Sequence, residues 1–202
     1  MDPQHTALVL IGYQNDYFAT DGKLHAVIEE SSRVTGTLAN TVDLLNRLSA
    51  TPVLITATPI GFTPDYSELV ESIGILKTVK DLGAFRAGTK GAETIPELRR
   101  FGERIKEVPG KRGLNAFSNT ELDNLFRQQG IKNIVLAGVV TSICVDSTGR
   151  SAYERGYQVS VLSDCTSGRT TFEQDFYCQN VFPLYAEVLD HAQLLERFGV
   201  AP

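Results

Sequence analysis

The sequence predicts a three-layer α/β/α domain built around a mostly parallel sheet of about six strands. Short apolar, β-branched segments alternate along the chain with segments of helical periodicity, and no segment has the composition of a linker or a repeat. Such alternation favours parallel strands joined by right-handed crossovers, with helices on both faces. A length of 202 residues suits one domain with a sizeable core. We therefore expect residues 1–202 to form a single domain.

The strands are predicted where apolar and β-branched residues run together. The first strand is TALVLIG at residues 6–12, and the longest apolar run is IKNIVLAGVV at residues 131–140. The other strands are predicted at residues 52–58, 104–109, 158–163 and 185–189. An open parallel sheet of this kind is Rossmann-like and binds ligands beyond the carboxyl ends of its strands.

The helices are predicted from apolar residues at three- and four-residue spacings and from terminal signals. Residues 32–48 carry such a stripe, formed by Val34, Leu38, Val42, Leu45 and Leu48. The capping-box pattern SNTE at residues 118–121 predicts the start of a helix that runs to residue 129 and stops at Gly130. Further helices are predicted at residues 67–80, 94–100, 145–154, 171–184 and 191–198.

Composition disfavours several classes of partner. A net charge of -5 gives no reason to expect nucleic acid or an anionic membrane as a partner. No apolar run reaches the length of a membrane span, and the N-terminus lacks the basic region of a signal peptide. Three widely spaced cysteines without a CxxC pair indicate free thiols in a reducing compartment. We expect a cytoplasmic protein that acts on a small molecule.

Cys144 occupies the junction between the strand at residues 131–140 and the helix that follows. Unpaired N–H groups and the helix dipole favour a thiolate in such a position and can also hold an oxyanion. An isolated cysteine is more often a packing residue, which is our expectation for Cys165 and Cys178. Asp164 is expected to cap a helix or loop.

Three segments in register carry a family resemblance. They are ALVLIGYQNDYF at residues 7–18, KRGLNAF at residues 111–117, and GVVTSICV at residues 138–145 with Gly156 downstream. In order and spacing they resemble the isochorismatase-like cysteine hydrolases, which include nicotinamidases and other small-amide hydrolases. The resemblance extends from about residue 6 to residue 190.

The resemblance implies a triad of Asp, Lys and Cys, in which a thiolate attacks an amide carbonyl and leaves a thioester that water hydrolyses. By position, Cys144 is the nucleophile and Lys111 is the cation beside it. The family's cis peptide corresponds to Val139–Val140, and the N–H groups of Val140 and Cys144 would form an oxyanion hole. Tyr17 corresponds to an aromatic residue that lines the pocket, together with Val139. The resemblance also implies a homo-oligomer, either a dimer or a tetramer.

Gly12 departs from the family pattern, because its register with QND at residues 14–16 corresponds to the catalytic Asp. General acid–base catalysis contributes roughly 10²–10⁴ in rate, whereas a cysteine is partly ionised at neutral pH without a base. We therefore expect a slowed or rewired enzyme. Asp16 is expected to be structural, because the family has an Asp there in addition to the catalytic one. A glycine needed for close backbone approach and an engineered replacement both stay open at residue 12.

No metal and no other cofactor are expected. Nicotinamidase-type relatives hold a metal with Asp and His residues after the second strand, whereas this chain has TATPIGF at residues 56–62. The three histidines, His5, His25 and His191, show no metal-binding spacing. Nicotinamidase activity is therefore disfavoured.

The leading hypothesis is a metal-independent cysteine hydrolase that cleaves a C–N bond of a small amide or carbamoyl compound. The alternative, motivated by Gly12, is a catalytically silent relative that binds a metabolite or a partner. A third hypothesis, hydrolysis of the isochorismate vinyl ether, is disfavoured because that branch uses the Asp as proton donor and can lack the cysteine. A redox role lacks a resolving cysteine adjacent to Cys144 in sequence.

Overall fold

The computed structural model describes residues 1–200, which form a sheet with helices on both faces. The strands are β1 Thr6–Ile11, β2 Leu54–Thr58, β3 Lys106–Glu107, β4 Asn133–Val139, β5 Gln158–Ser167 and β6 Glu187–Leu189. The helices are α1 Asn15–Phe18, α2 His25–Thr35, α3 Thr37–Leu48, α4 Gly74–Leu82, α5 Pro96–Arg99, α6 Leu122–Gln128, α7 Asp146–Glu154, α8 Thr171–Phe176 and α9 His191–Arg197.

The strands are parallel and lie in the order β3-β2-β1-β4-β5-β6. β1 lies between β2 and β4, with Ala7 opposite Leu54 on one side and Thr6 opposite Asn133 on the other. The predicted three-layer α/β/α fold with a parallel, six-stranded sheet is confirmed. Since β1 and β4 end at neighbouring positions, residues that follow them meet at one edge of the sheet.

Successive residues of β1 alternate between two hydrophobic cores, one on each face of the sheet. Val9 of β1 packs on the face covered by Phe126 of α6, whereas Leu8 packs on the face covered by Leu44 of α3. A strand buried on both faces needs apolar residues at nearly every position, which explains why the strands were recognisable as continuous apolar runs. Each fully buried side chain of this size stabilises the fold by about 1.5–3 kcal/mol.

The single helix predicted over residues 32–48 is wrong, because this segment contains the end of α2 and the whole of α3. Gly36 separates them with a left-handed φ of 69°. Val34 belongs to α2 and is 63% exposed, while Leu45 and Leu48 of α3 are buried. One left-handed glycine ends a helix without disturbing the spacing of apolar residues in the sequence, so the periodicity alone did not show the break.

The predicted capping box is also wrong. α6 begins only at Leu122, and the Glu121 carboxylate accepts a hydrogen bond from the Asn124 side chain at 2.7 Å. The helix predicted at residues 67–80 forms later, as α4. The one predicted at residues 171–184 is regular only through α8 and continues as a π-helical turn and a 3-10 turn, where Pro183 has no N–H to donate.

Across residues 1–200, no helix combines the length and apolar character needed to cross a lipid bilayer.

Candidate active site

Cys144 lies beyond the carboxyl end of β4, in one π-helical turn formed by Thr141–Val145. The Val139–Val140 peptide that precedes the turn is cis, as the resemblance implies. The Val140 carbonyl accepts hydrogen bonds from the N–H groups of Ile143 at 3.0 Å and of Val145 at 3.2 Å. The predicted strand–helix junction is confirmed, although the thiol lies before the first α-helical turn and not inside it. Single π-helical turns occur frequently at functional sites.

The Lys111 side chain reaches the Cys144 thiol from a separate segment of the chain. Its Nζ lies 3.5 Å from the Cys144 Sγ, and this is its only hydrogen bond within residues 1–200. Lys111 is 1% exposed and Cys144 is 6% exposed, so little water screens their interaction. The Lys111 backbone is held by a bridge to Ile60 and by a 3.2 Å hydrogen bond from the Gly61 N–H to its carbonyl.

Gly12 follows β1 at the same edge and has a φ of 74°. A Cβ atom at this position would lie 2.8 Å from the Val139 carbonyl oxygen and 2.9 Å from the Val139 Cγ2. It would also lie 3.5 Å from the Tyr17 ring. The position that corresponds to the triad Asp therefore has no room for a side chain in this backbone conformation, which supports the interpretation that glycine permits close backbone approach.

The side chains of Gln14 and Asn15, which follow Gly12, hold loops against the edge of the sheet by hydrogen bonds. The Gln14 amide donates 2.8 Å hydrogen bonds to the carbonyls of Ile60 and Ala92, and its oxygen accepts the Ile60 N–H at 3.0 Å. The Asn15 amide donates to the Lys90 carbonyl at 2.7 Å. Since the Lys111 backbone pairs with Ile60, these contacts help to fix the position of the lysine.

Asp16 makes structural contacts, as expected. Its buried carboxylate accepts the Phe85 N–H at 2.6 Å. The neighbouring Tyr17 is buried with its ring 5.0 Å from the Phe85 ring. Burial first, and then the proximity of Cys144 and Asp16, raises the pKa of Tyr17 far above its usual value. Tyr17 is therefore a neutral phenol at physiological pH.

Sequence reasoning missed Gln174 of α8, which holds the Thr141–Val145 turn, called here the nucleophile turn after the predicted role of Cys144. Its Oε1 accepts a 2.6 Å hydrogen bond from the Thr141 hydroxyl. Its Nε2 donates to the Ser163 carbonyl at 2.9 Å and to the Thr166 hydroxyl at 3.0 Å. No motif marks this residue, because its role depends on how α8 packs against the turn.

Glu173, its neighbour on α8, supports the same turn and was also missed. Its carboxylate accepts a hydrogen bond from the Ser142 hydroxyl and forms a 2.6 Å ion pair with Arg169. The helix is positioned by Thr170, whose hydroxyl accepts the Glu173 N–H at 3.1 Å as an N-cap. The threonine cap was the one local signal in the sequence for where α8 begins.

Two depressions open beside the nucleophile turn, and both are lined by Ser142, Ile143 and Arg169. One, of about 630 Å³, extends to the exposed aromatic residues of α8, and the other, of about 550 Å³, extends toward α4. Another depression of about 520 Å³ is lined by Gln158, the first residue of β5. It therefore lies at the amino end of that strand, away from the edge where parallel sheets bind ligands.

One group within residues 1–200 brings together metal-binding side chains, namely Asp164, Cys165 and His191. Cys165 belongs to the opposite hydrophobic core from Cys144. The expected capping role of Asp164 is confirmed, because its carboxylate accepts the His191 N–H at 3.0 Å. The expected packing role of Cys165 is also confirmed, since it is fully buried.

Similar solved structures support the fold. A cysteine hydrolase from Pseudomonas syringae pv. phaseolicola 1448A superposes with a TM-score of 0.86 at 20% identity, covering 98% of this chain and 94% of that one. N-carbamoylsarcosine amidase from Thermoplasma acidophilum superposes with a TM-score of 0.72 at 21% identity, covering 92% of this chain and 96% of that one.

Sequence comparison identifies the family. Ureidoacrylate amidohydrolase RutB of Agrobacterium fabrum is 29% identical over 178 residues, covering 82% of this chain and 77% of that protein. The profile of the Isochorismatase domain matches residues 6–193, which is nearly the whole chain. The chain therefore belongs to the isochorismatase family and is an isochorismatase-like hydrolase.

Proposed function

We propose that this hydrolase cleaves the C–N bond of a small amide or carbamoyl compound through a thioester on Cys144. The observation that carries the proposal is the 3.5 Å contact between the Lys111 ammonium and the Cys144 sulfur in a buried site. The similarity to a ureidoacrylate amidohydrolase and to an N-carbamoylsarcosine amidase supports this bond type.

The charge balance at the site favours a reactive sulfur. A buried ammonium is costly unless an anion accompanies it. Within residues 1–200 the Lys111 ammonium has no carboxylate partner, and its hydrogen bond goes to the sulfur. A thiolate at Cys144 would supply the missing negative charge, so in our proposal the Lys111 ammonium stabilises the thiolate that attacks the substrate. The thiol proton leaves to solvent, and a thiolate formed beside the ammonium attacks without a separate base.

The proposed reaction has two stages. The thiolate attacks the carbonyl carbon, the C–O π electrons move onto oxygen, and the N–H groups of Val140 and Cys144 stabilise the oxyanion. The tetrahedral intermediate collapses, the C–N bond breaks, and the leaving nitrogen takes a proton from the Lys111 ammonium. Water then attacks the thioester, the C–S bond breaks, and the proton released by water returns the lysine to its ammonium form.

The glycine at residue 12 sets the expected rate. A triad Asp would shuttle these protons, and general acid–base catalysis is worth roughly 10²–10⁴ in rate. Lys111 carries that task alone in our proposal. The proposed enzyme is therefore slower than a relative with a complete triad, by about that factor for the same substrate.

Arg169 indicates that the proposed substrate carries a negative charge away from the scissile bond. It lines both depressions beside the nucleophile turn, and its side chain is 60% exposed although it pairs with Glu173. A guanidinium in this position suits a carboxylate at the far end of the substrate. Ureido and N-carbamoyl acids combine such a carboxylate with a scissile C–N bond, and they are our first candidates.

The test is to measure ammonia release from ureidoacrylate and from a set of N-carbamoyl amino acids. We expect slow turnover by the unaltered chain, none by Cys144→Ala, and unchanged turnover by Cys178→Ala as the matched control. Mass spectrometry after acid quench should detect an acyl group on Cys144. Turnover that survives in Cys144→Ala would exclude the mechanism. Absence of both turnover and adduct would favour the catalytically silent relative instead.

A further inference from the structure

A second group of reactive side chains lies on the opposite face of the sheet from Cys144. Cys165 belongs to β5, and its partner residue His191 begins α9. Asp164 lies beside the cysteine on β5, and Asp43 approaches from α3. Three separate segments therefore converge on one point at the carboxyl ends of β5 and β6.

The donor atoms of this group are close enough together to share one metal ion after side-chain rearrangement. One donor atom from each of Asp164, Cys165 and His191 lies within 4.8 Å of the others. Donors around a tetrahedral Zn²⁺ are roughly 3.3–3.8 Å apart, as follows from metal–ligand bonds of about 2.0–2.3 Å. The His191 Nδ1 lies 2.5 Å from the Asp164 carboxylate, so metal binding would replace a hydrogen bond that these two side chains share.

The two ring nitrogens of His191 face two different carboxylates. While its Nδ1 faces Asp164, its Nε2 lies 3.7 Å from the Asp43 carboxylate on the other side of the ring. With a metal on Nδ1, the Asp43 carboxylate would face the Nε2–H group on the other side of the ring. His191 and Asp164 are partly exposed, whereas Cys165 is fully buried. The sulfur donor therefore lies beneath two ligands that face solvent.

We propose that Asp164, Cys165 and His191 bind a divalent transition metal ion of the zinc type, with Asp43 orienting His191 from behind. Sulfur, imidazole and carboxylate form a donor set that suits Zn²⁺, and a water molecule completes the tetrahedron. On binding, the Cys165 S–H bond breaks, a metal–sulfur bond forms, and the proton leaves to solvent. The ion links α9 to β5 and has a structural role.

This proposal revises the expectation that the chain holds no metal. That expectation rested on the spacing of the histidines in the sequence, which does not reveal that His191 packs against residues 164 and 165. The proposed hydrolytic reaction does not use this ion, since Cys144 packs in the other core. The two proposals can therefore succeed or fail independently.

The experiment is a titration of the chelator-treated full chain with Co²⁺, followed by displacement with Zn²⁺. We expect one Co²⁺ per chain and a sulfur-to-cobalt charge-transfer absorption, which Zn²⁺ abolishes. Cys165→Ala should remove this absorption, while Cys144→Ala and Cys178→Ala should retain it. Since the Asp43 side chain is 45% exposed, Asp43→Asn should fold normally and bind Zn²⁺ about tenfold or more weakly.

Two results would overturn the proposal. One is the absence of the charge-transfer absorption, or its loss in Cys144→Ala, which would assign the binding to the active-site thiol. The other is unchanged Zn²⁺ affinity in both single variants, Asp43→Asn and His191→Gln. These two variants keep the test decisive even where Cys165→Ala does not fold.

Discussion

At residue 12 the backbone conformation decides what chemistry is available. A φ of 74° and a Val139 oxygen only 2.8 Å from the built Cβ exclude a side chain. Loss of the triad carboxylate and the local backbone conformation are therefore coupled. Replacing the glycine by aspartate changes both properties together.

We expect Gly12→Asp to destabilise the protein by about 1–3 kcal/mol, because a non-glycine residue would adopt a strained φ against a tight contact. Turnover should not rise to that of an enzyme with a complete triad. Urea unfolding and ammonia release measure the two effects. Gly12→Ala is the control, since it introduces the same steric conflict without the carboxylate. A Gly12→Asp variant that is both stable and faster would show that the backbone readjusts.

The three cysteines should differ sharply in reactivity. Burial raises the pKa of Cys178 to about 12. Burial first, and then Asp164, raises the pKa of Cys165 as well. In the metal-free protein both stay protonated and unreactive at pH 8, and Cys178 should react only as the pH approaches 12. Cys144 beside Lys111 should be the thiol that reacts.

Iodoacetamide at pH 8 should therefore modify Cys144 alone, as peptide mass spectrometry can show. Lys111→Met should slow this modification by about tenfold or more, because the thiolate loses its cation. Lys132→Met, a matched change at an exposed lysine, should leave the rate unaltered. Equal rates in the two variants would remove Lys111 from the mechanism.

At the scale of elements, α8 holds the nucleophile turn in place through hydrogen bonds. Gln174 connects Thr141 of that turn to Ser163 and Thr166 of β5 through one amide. Replacing this amide leaves buried polar groups without partners, which costs more than the lost hydrogen bonds themselves. The geometry of the turn therefore depends on a helix that carries none of the proposed reacting groups.

We expect Gln174→Met to lower the free energy of unfolding by about 2–3 kcal/mol and to reduce turnover. Gln179→Met, an exposed position in the following turn, should change stability by less than about 0.5 kcal/mol. Urea denaturation monitored by circular dichroism compares the two. If Gln174→Met unfolds at the same urea concentration as the unaltered chain, the hydrogen bonds of Gln174 contribute little to stability.

The elements also show what the sequence can reveal. Strands β1 and β4 were predictable because burial on both faces demands unbroken apolar runs. Cys144 and Lys111 were predictable because they lie in motifs with fixed spacing. The break between α2 and α3 at Gly36 was not predictable, because it depends on one backbone conformation. The contacts of Gln174 and the proximity of Cys165 to His191 were not predictable, because they depend on packing between segments.

At the scale of the whole molecule, the central sheet joins both hydrophobic cores. Val9 and Leu8 belong to different cores, yet they are adjacent on β1. Disruption of one core therefore disturbs the strand that supports the other. The homo-oligomer and the cytoplasmic location stay predictions, and light scattering can compare the mass in solution with 22.1 kDa for one chain.

A single unfolding transition should follow from this arrangement. We expect circular dichroism and tyrosine fluorescence to give the same midpoint in urea, since the seven tyrosines and the helices belong to one cooperative unit. The chain has no tryptophan to complicate the second signal. Two separated midpoints would contradict the prediction of one domain over residues 1–202.

The central position of β1 has a consequence for synthesis on the ribosome. Thr6 leaves the ribosome early but pairs with Asn133, 127 residues later (133 − 6), and until then one edge of β1 stays open. Lys111 likewise leaves the ribosome before Cys144, whose thiol it contacts in the folded protein. A nascent chain therefore holds an unfinished sheet and an unpaired amine until most of it has been translated. Chaperones that shield open strand edges would act on this chain during that interval.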